Sequence, residues 1–183
     1  TEDAVSLRAL RRAYELGVSF YDSAALYGYG HSEELIGAAL GDVRDRTILA
    51  SKVGYVNFAG SADFSPGHIR SSAEDSLRRL RTDYIDLYQL HDPPIAQLRQ
   101  DDGIQATLEM LRAEGKIRFV GISARSPEES LELLGLINPD VIQVNFNLAD
   151  QRARALGLLV ECNRRDIGII ARTPLCFGFL TGK

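Results

Sequence analysis

Six short apolar runs recur along the chain, Val18 to Tyr21, Thr47 to Ser51, Tyr84 to Leu90, Ile117 to Ile122, Val141 to Phe146 and Ile167 to Ala171, with helical patterns between them. Each run has strand length and several are β-branched. The intervening segments change period: Ala155, Leu158, Leu159 and Cys162 fall on one helical stripe. Helix starts are marked by Ser126-Pro127-Glu128-Glu129, a cap, a first-turn proline and a capping-box glutamate in order, and by Ser65-Pro66. Gly17 and Gly115 stand just after helical patterns and just before strands, as left-handed C-terminal caps do. Strand and helix in alternation make a parallel α/β sheet.

The spacing of the runs fits βα units in either a closed barrel or an open doubly wound sheet. A dinucleotide-binding domain of the second kind needs G-x-G-x-x-G after its first strand. The nearest sequence, Gly28-Tyr29-Gly30, reads instead as a turn before a helix capped by Ser32. The preferred fold is a TIM (β/α)8-type barrel, with about six of its eight βα units present and residues 1–183 forming one partial barrel domain.

Strand after strand ends in a polar residue: Asp22, Lys52, His91, Ser123, Gln143 with Asn145, and Arg172. In such folds the chemistry sits at that edge. Taken singly, Asp22 reads equally as a turn former, Tyr27 as an aromatic cover for the barrel mouth, and His91 as a histidine bonded to a backbone carbonyl. Lys52 is harder to explain without a partner, because lysine is rarely buried unpaired. Together, a phenol, an ammonium, a carboxylate and an imidazole suit proton transfer to a carbonyl oxygen. In this reading Asp22 holds Lys52, Lys52 lowers the pKa of the Tyr27 phenol, and His91 donates a hydrogen bond that fixes the carbonyl. No side chain supplies a hydride, so a nicotinamide cofactor is implied. His31 and His68 lie near helix starts, away from this edge, and are expected to be exposed. No His/Cys/Asp cluster has ligand spacing, so no metal site is expected, and no Ser or Cys stands in a nucleophile elbow.

A formal charge of -4 and a pI near 5.4 give no basic face for nucleic acid or an anionic membrane. Arg78, Arg79 and Arg81 read as a solvated helix end. No apolar stretch approaches the roughly 20 residues needed to span a bilayer, and the start lacks a signal-peptide core, so the expected location is cytoplasmic. Cys162 and Cys176 are expected to be reduced core thiols. Oligomeric state has no signal in the sequence.

Three longer motifs carry a resemblance. Gly17-Val18-Ser19-Phe20-Tyr21-Asp22-Ser23-Ala24, followed by Tyr27-Gly28 and Ser32-Glu33, closely resembles the first signature of the aldo-keto reductase superfamily. Residues 76–88 with His91 resemble its second, and Gly115-Lys116-Ile117-Arg118 through Gly121-Ile122-Ser123 its fifth-strand region. The resemblance implies an NADPH-dependent oxidoreductase that reduces aldehydes or ketones, with Tyr27 as proton donor and Asp22, Lys52 and His91 as its partners. It implies that Ser123 and Gln143 bond the nicotinamide carboxamide. It also likens the stretch Arg172 to Lys183, including Thr173, Leu175 and Gly178, to the loop along the cofactor pyrophosphate. Ala124 stands where many members have asparagine, and Arg172 where many stack an aromatic ring on the nicotinamide; a planar guanidinium can stack as well. A pocket wall of Tyr55, Phe58, Pro93, Pro94 and Phe146 would suit an apolar or aromatic carbonyl.

Two barrel strands are unaccounted for, one before Ala4 and one after Lys183. With no initiator methionine, the chain reads as a piece of a longer one. Two other functions stay open: a cofactor-binding regulatory subunit with little turnover, and an inactive truncated form of the enzyme.

Overall fold

In the computed structural model, which describes residues 2–100 and 103–182, every apolar run becomes a strand. These are β1 (Phe20–Asp22), β2 (Ile48–Val53), β3 (Ile85–His91), β4 (Ile117–Ser123), β5 (Val141–Asn145) and β6 (Gly168–Arg172). All five neighbouring pairs are parallel and the order is sequential, β1-β2-β3-β4-β5-β6. A doubly wound sheet reverses its order at a switch point, whereas sequential order belongs to a barrel. The sheet curls far enough for Gln143 on β5 to hydrogen-bond Asp22 on β1.

Helices α1 (Glu2–Glu15), α2 (His31–Leu40), α3 (Pro66–Leu80), α4 (Ile95–Leu98), α5 (Ile104–Ala113), α6 (Pro127–Leu136), α7 (Arg152–Ala155) and α8 (Leu158–Arg164) fill the connections. Ser65 accepts from the His68 amide and Ser126 from the Glu129 amide, each with proline in the first turn. Gly17 and Gly115 take the left-handed backbone expected of them, at φ 94° and 74°. The core lies between the convex face of the sheet and the helices, with Leu49, Ile69, Leu90, Leu108, Ile122 and Val144 buried in it. Each such side chain contributes about 1.5–3 kcal/mol by leaving water.

Three local expectations are corrected. The helical stripe through Ala155 is broken: Gly157 takes φ 77° between α7 and α8, Ala155 is exposed, and Ala153 is the buried residue. A residue held in the left-handed region stops a helix whatever the apolar spacing around it. Ser32 does not cap α2. The helix begins one residue earlier, behind left-handed Gly30, and Ser32 instead accepts a hydrogen bond from Ser23 at 2.9 Å.

The arginine cluster is not wholly solvated. Arg79 is half-buried and its Nε donates to Glu33 Oε2 at 2.7 Å, while Ser51 donates to the other oxygen of this fully buried carboxylate. A buried carboxylate persists only when paired and hydrogen-bonded, and here the pairing ties α2, α3 and β2 together. Among the described residues no helix is long and apolar enough to cross a membrane.

Candidate active site

Parallel register brings the strand ends level: Asp22 is paired with Ala50, Lys52 with Gln89, His91 with Ser123, and Ser123 with Gln143. Alternation along each strand then decides which side chains face inward. Lys52, almost wholly buried at 1% side-chain exposure, donates to Asp22 Oδ2 at 2.6 Å and to the Ser23 carbonyl at 2.8 Å. Asp22 also accepts from Gln89 Nε2 on Oδ1 at 2.9 Å and from Gln143 Nε2 on Oδ2 at 3.1 Å. Two glutamines and an ammonium thus hold one carboxylate, whose side chain is still 26% exposed, and the buried charge that needs the pairing is Lys52. Burial pulls the Lys52 ammonium below the ordinary lysine value, and Asp22 offsets part of that shift.

Tyr27 follows β1 on a tight turn in which Gly28, Tyr29 and Gly30 all have positive φ, at 60°, 53° and 95°. Gly30 is required twice over: a Cβ there would stand 2.5 Å from Arg79 Cδ, against the arginine that reaches Glu33. The turn sets the Tyr27 ring 5.2 Å from Lys52 Nζ and edge-on to His91 at 6.0 Å. His91 meets Tyr55 edge-on at 5.0 Å. The four predicted catalytic side chains are therefore gathered at one mouth. Beside them is a cavity of about 350 Å³ lined by Leu26, Tyr27, Tyr55, Asn57, Phe58 and His91. Of the expected pocket wall, Tyr55 and Phe58 line it; Pro93, Pro94 and Phe146 do not.

One electrostatic expectation is reversed. Among the described residues no hydrogen bond joins the Tyr27 hydroxyl to Lys52, and the phenol pKa is raised rather than lowered. Burial is the main cause and the Asp22 charge the second; Arg172 is the cation that draws it back down. The physical reason is that burial disfavours the charged phenolate, while Lys52 is held by Asp22 at 2.6 Å. His91 falls to about 4, chiefly by burial and then by the Lys52 and Arg172 charges. It is a neutral imidazole near pH 7, able to donate one N–H. Burial also raises the Asp92 carboxyl.

The residues likened to a cofactor site continue along the same edge. Ser123 Oγ donates to Gln143 Oε1 at 3.3 Å. Asn145 Oδ1 accepts from Arg172 Nε and from Thr173 Oγ1, both at 2.9 Å. A second guanidinium nitrogen of Arg172 donates to the Arg125 carbonyl at 3.2 Å, which lays its side chain back across the ends of β5 and β4. Leu175 and Gly178 lie on the following turn, where Gly178 N donates to the Leu175 carbonyl at 3.0 Å and Leu175 is exposed. Lys183, the last residue of the stretch likened to a pyrophosphate loop, lies outside the described residues.

His31 is exposed as expected, with its ring on Asp3 and Glu34, and His68 is only partly so. Among the described residues no three His, Cys, Asp or Glu side chains gather in a metal-binding group. Gln89 was missed: it sits mid-strand in an apolar run, and the signal that could have found it is its place two residues before His91, on the same face. Asp92, beside His91 with φ 51°, was passed over as part of a Pro-rich turn.

Known proteins resemble this chain in sequence and in fold. The chain is 38% identical over 190 residues to the uncharacterized oxidoreductase YqkF of Bacillus subtilis, covering 100% of this chain and 60% of that protein. It is 33% identical to L-galactose dehydrogenase of Arabidopsis thaliana, covering 98% of this chain and 57% of the relative. Among solved structures, the holo form of the aldo-keto reductase AKR11C1 from Bacillus halodurans superimposes with a TM-score of 0.87 at 34% identity, over 97% of this chain and 60% of that one. An aldo/keto reductase from Klebsiella pneumoniae in complex with NADP and acetate gives 0.78 at 32% identity, over 97% and 61%. The chain thus spans about 60% of the length of these relatives. The family model described as the aldo/keto reductase family matches residues 1–183, and the chain belongs to that family.

Proposed function

We propose that this chain carries the catalytic part of an NADPH-dependent reductase that converts aldehydes or ketones to alcohols, with Tyr27 as proton donor. The observation behind this reading is the gathering of Tyr27, Lys52, Asp22 and His91 around one cavity, in a chain whose Klebsiella pneumoniae neighbour was solved with NADP. The cofactor side fits a nicotinamide: Ser123 and Gln143 offer an adjoining hydroxyl and amide that can be exchanged for an external carboxamide, and Arg172 offers a planar cation beside them. When bound, such a cofactor supplies the hydride.

The chain's own residues supply the rest. Neutral His91 donates an N–H to the carbonyl oxygen and orients it. The Tyr27 hydroxyl gives its proton to the same oxygen as negative charge develops there. Lys52, held by Asp22, keeps a positive charge next to the phenolate that remains. Tyr55, Phe58 and Leu26 make the cavity wall largely aromatic and aliphatic, which favours an apolar or aromatic carbonyl.

In the full-length protein, steady NADPH oxidation with an aromatic aldehyde should fall by about 10² to 10⁴ in Tyr27→Phe. Undiminished turnover in that variant would remove the proton-donor assignment. The 60% span of the relatives supports a second reading for the 183 residues alone, that they hold the catalytic groups but bind cofactor too weakly to turn over. Fluorescence titration of this piece with NADPH separates the two: micromolar binding argues against the second reading.

A further inference from the structure

We propose that Gln89 is a positioning residue of this site, whose amide N–H bonds the second oxygen of the Asp22 carboxylate and so holds its plane against the Lys52 ammonium. The inference rests on the reductase reading above for its consequence in turnover, but on geometry for its substance. Asp22 Oδ2 accepts from both Lys52 and Gln143, whereas Oδ1 has, among the described residues, Gln89 as its donor at 2.9 Å. Without that bond Oδ1 has no donor among the described residues, and the carboxylate plane is free to swing about its broad terminal torsion.

Gln89 is an unexpected residue for its place. It is fully buried in the middle of β3, and its Oε1 is buried with no hydrogen-bond partner among the described residues. An orphaned acceptor is a cost that methionine or leucine would avoid in the same space. Turning the amide over does not relieve it, because the carbonyl oxygen would then face the carboxylate. A local choice that works against stability marks a position kept for another reason.

The neighbouring strand is shaped around it: a Cβ at Gly121 would come within 2.7 Å of Gln89 Cγ and 3.0 Å of Leu87 Cδ1. Gln143 is the other amide on Asp22, but it is the one assigned to the nicotinamide carboxamide. When Gln143 turns to that ligand, Gln89 is the neutral donor left on Asp22.

Gln89→Met in the full-length protein keeps the volume and removes the donor. The Asp22 charge is then less shared and acts more strongly on the Tyr27 phenol. The other groups facing that phenol, Lys52 from β2, His91 and Asp92 from β3 and its end, and Arg172 from β6, are unchanged. The expected result is a drop in kcat of about 10-fold, the size of a lost hydrogen bond to a charged group, with KM for the aldehyde unmoved because Gln89 does not line the cavity. The basic limb of the kcat profile, and the ¹³Cζ titration of Tyr27 in the cofactor-free protein, should both move to higher pH, while thermal stability is held or raised.

Gly121→Ala, which pushes on the Gln89 side chain, should shift the Tyr27 titration in the same direction and serves if Gln89→Met does not fold. A fall in stability with both titrations unmoved would make Gln89 merely structural and overturn the proposal. Absence of turnover in the wild-type protein would defeat the reductase reading, and the Tyr27 titration would then decide Gln89 by itself.

Discussion

The inner face of the sheet carries two layers whose burial is inverted. Toward the strand C-termini, Lys52 and Gln89 are 1% and 0% exposed. Toward the N-termini, Ile48 and Phe119 are 45% and 53% exposed, beside an open groove of about 420 Å³ that also touches Phe20, Leu87 and Val141. The centre of the polar layer is dry, although the Asp22 side chain keeps 26% exposure. Its side chains are long and make directional bonds, so Gln143 on β5 can reach Asp22 on β1 and close the layer over itself. Apolar side chains have no such reach: they gain only where other atoms come within about 4–4.5 Å, and along this stretch few do. At Lys52 and Gln89 burial follows reach, whereas among the apolar residues beside the groove Leu87 is covered, at 4% exposure, and Ile48 and Phe119 are not. The polar layer is thus held by bonds among the strands themselves, while the groove beneath it stays open.

The sharpest way to break that contrast is to remove the centre of the polar layer. Lys52→Met leaves Asp22 with two amides and no cation; breaking a fully buried pair in this way costs about 3 kcal/mol, and the 26% exposure of the Asp22 side chain makes that the upper bound. Urea unfolding reads it. A loss below about 1 kcal/mol, in the range of exposed ion pairs, would mean that the polar layer does not hold itself.

An effect of similar size follows from pH. His91 titrates at about 4 in the folded chain against an ordinary value of 6.5, so between these values the unfolded chain binds more protons. Stability rises with pH across that window: the full contribution is present above pH 6.5 and is lost as the pH falls through 4, in all about 3 kcal/mol at most. His91→Gln should flatten this part of the stability curve. Unchanged acid sensitivity in that variant would place the protons elsewhere.

How far the sequence announced these layers depends on the kind of signal each residue sends. Strands were legible because each is an apolar run closed by glycine, proline or a cap, and Gly17, Ser65, Gly115 and Ser126 punctuate as their chemistry requires. Asp22, Lys52 and His91 were legible because a polar residue ending an apolar run is conspicuous. Gln89 sits inside such a run and shows only through the two-residue alternation counted back from His91. Glu33 and Arg79 lie 46 positions apart, on helices whose mutual packing periodicity does not reveal, so their ion pair was invisible. The Tyr27 shift failed for a different reason. Proximity of an ammonium was foreseeable, but the burial of the phenol and its nearness to the Asp22 charge, which raise its pKa, are matters of packing and distance rather than residue types.

The smallest expected effect tests the lower layer, and its smallness is the point. Phe119 and Ile122 lie three residues apart on β4, one in the open groove and the other in the helix-covered core at 0% exposure. Ile122→Ala should cost 2–5 kcal/mol by transfer and cavity terms, roughly the range for buried aliphatic truncations. Phe119→Ala, although it removes more atoms, should change the stability of the 183-residue chain by no more than about 0.5 kcal/mol, as for an exposed site. The same substitution in a longer protein whose remaining chain fills the groove should cost about 3–5 kcal/mol. The difference between the two Phe119 values measures how much of this face other residues cover. A large cost already in the short chain would mean that the groove is closed by the 183 residues themselves, and the two layers would then no longer differ in what holds them.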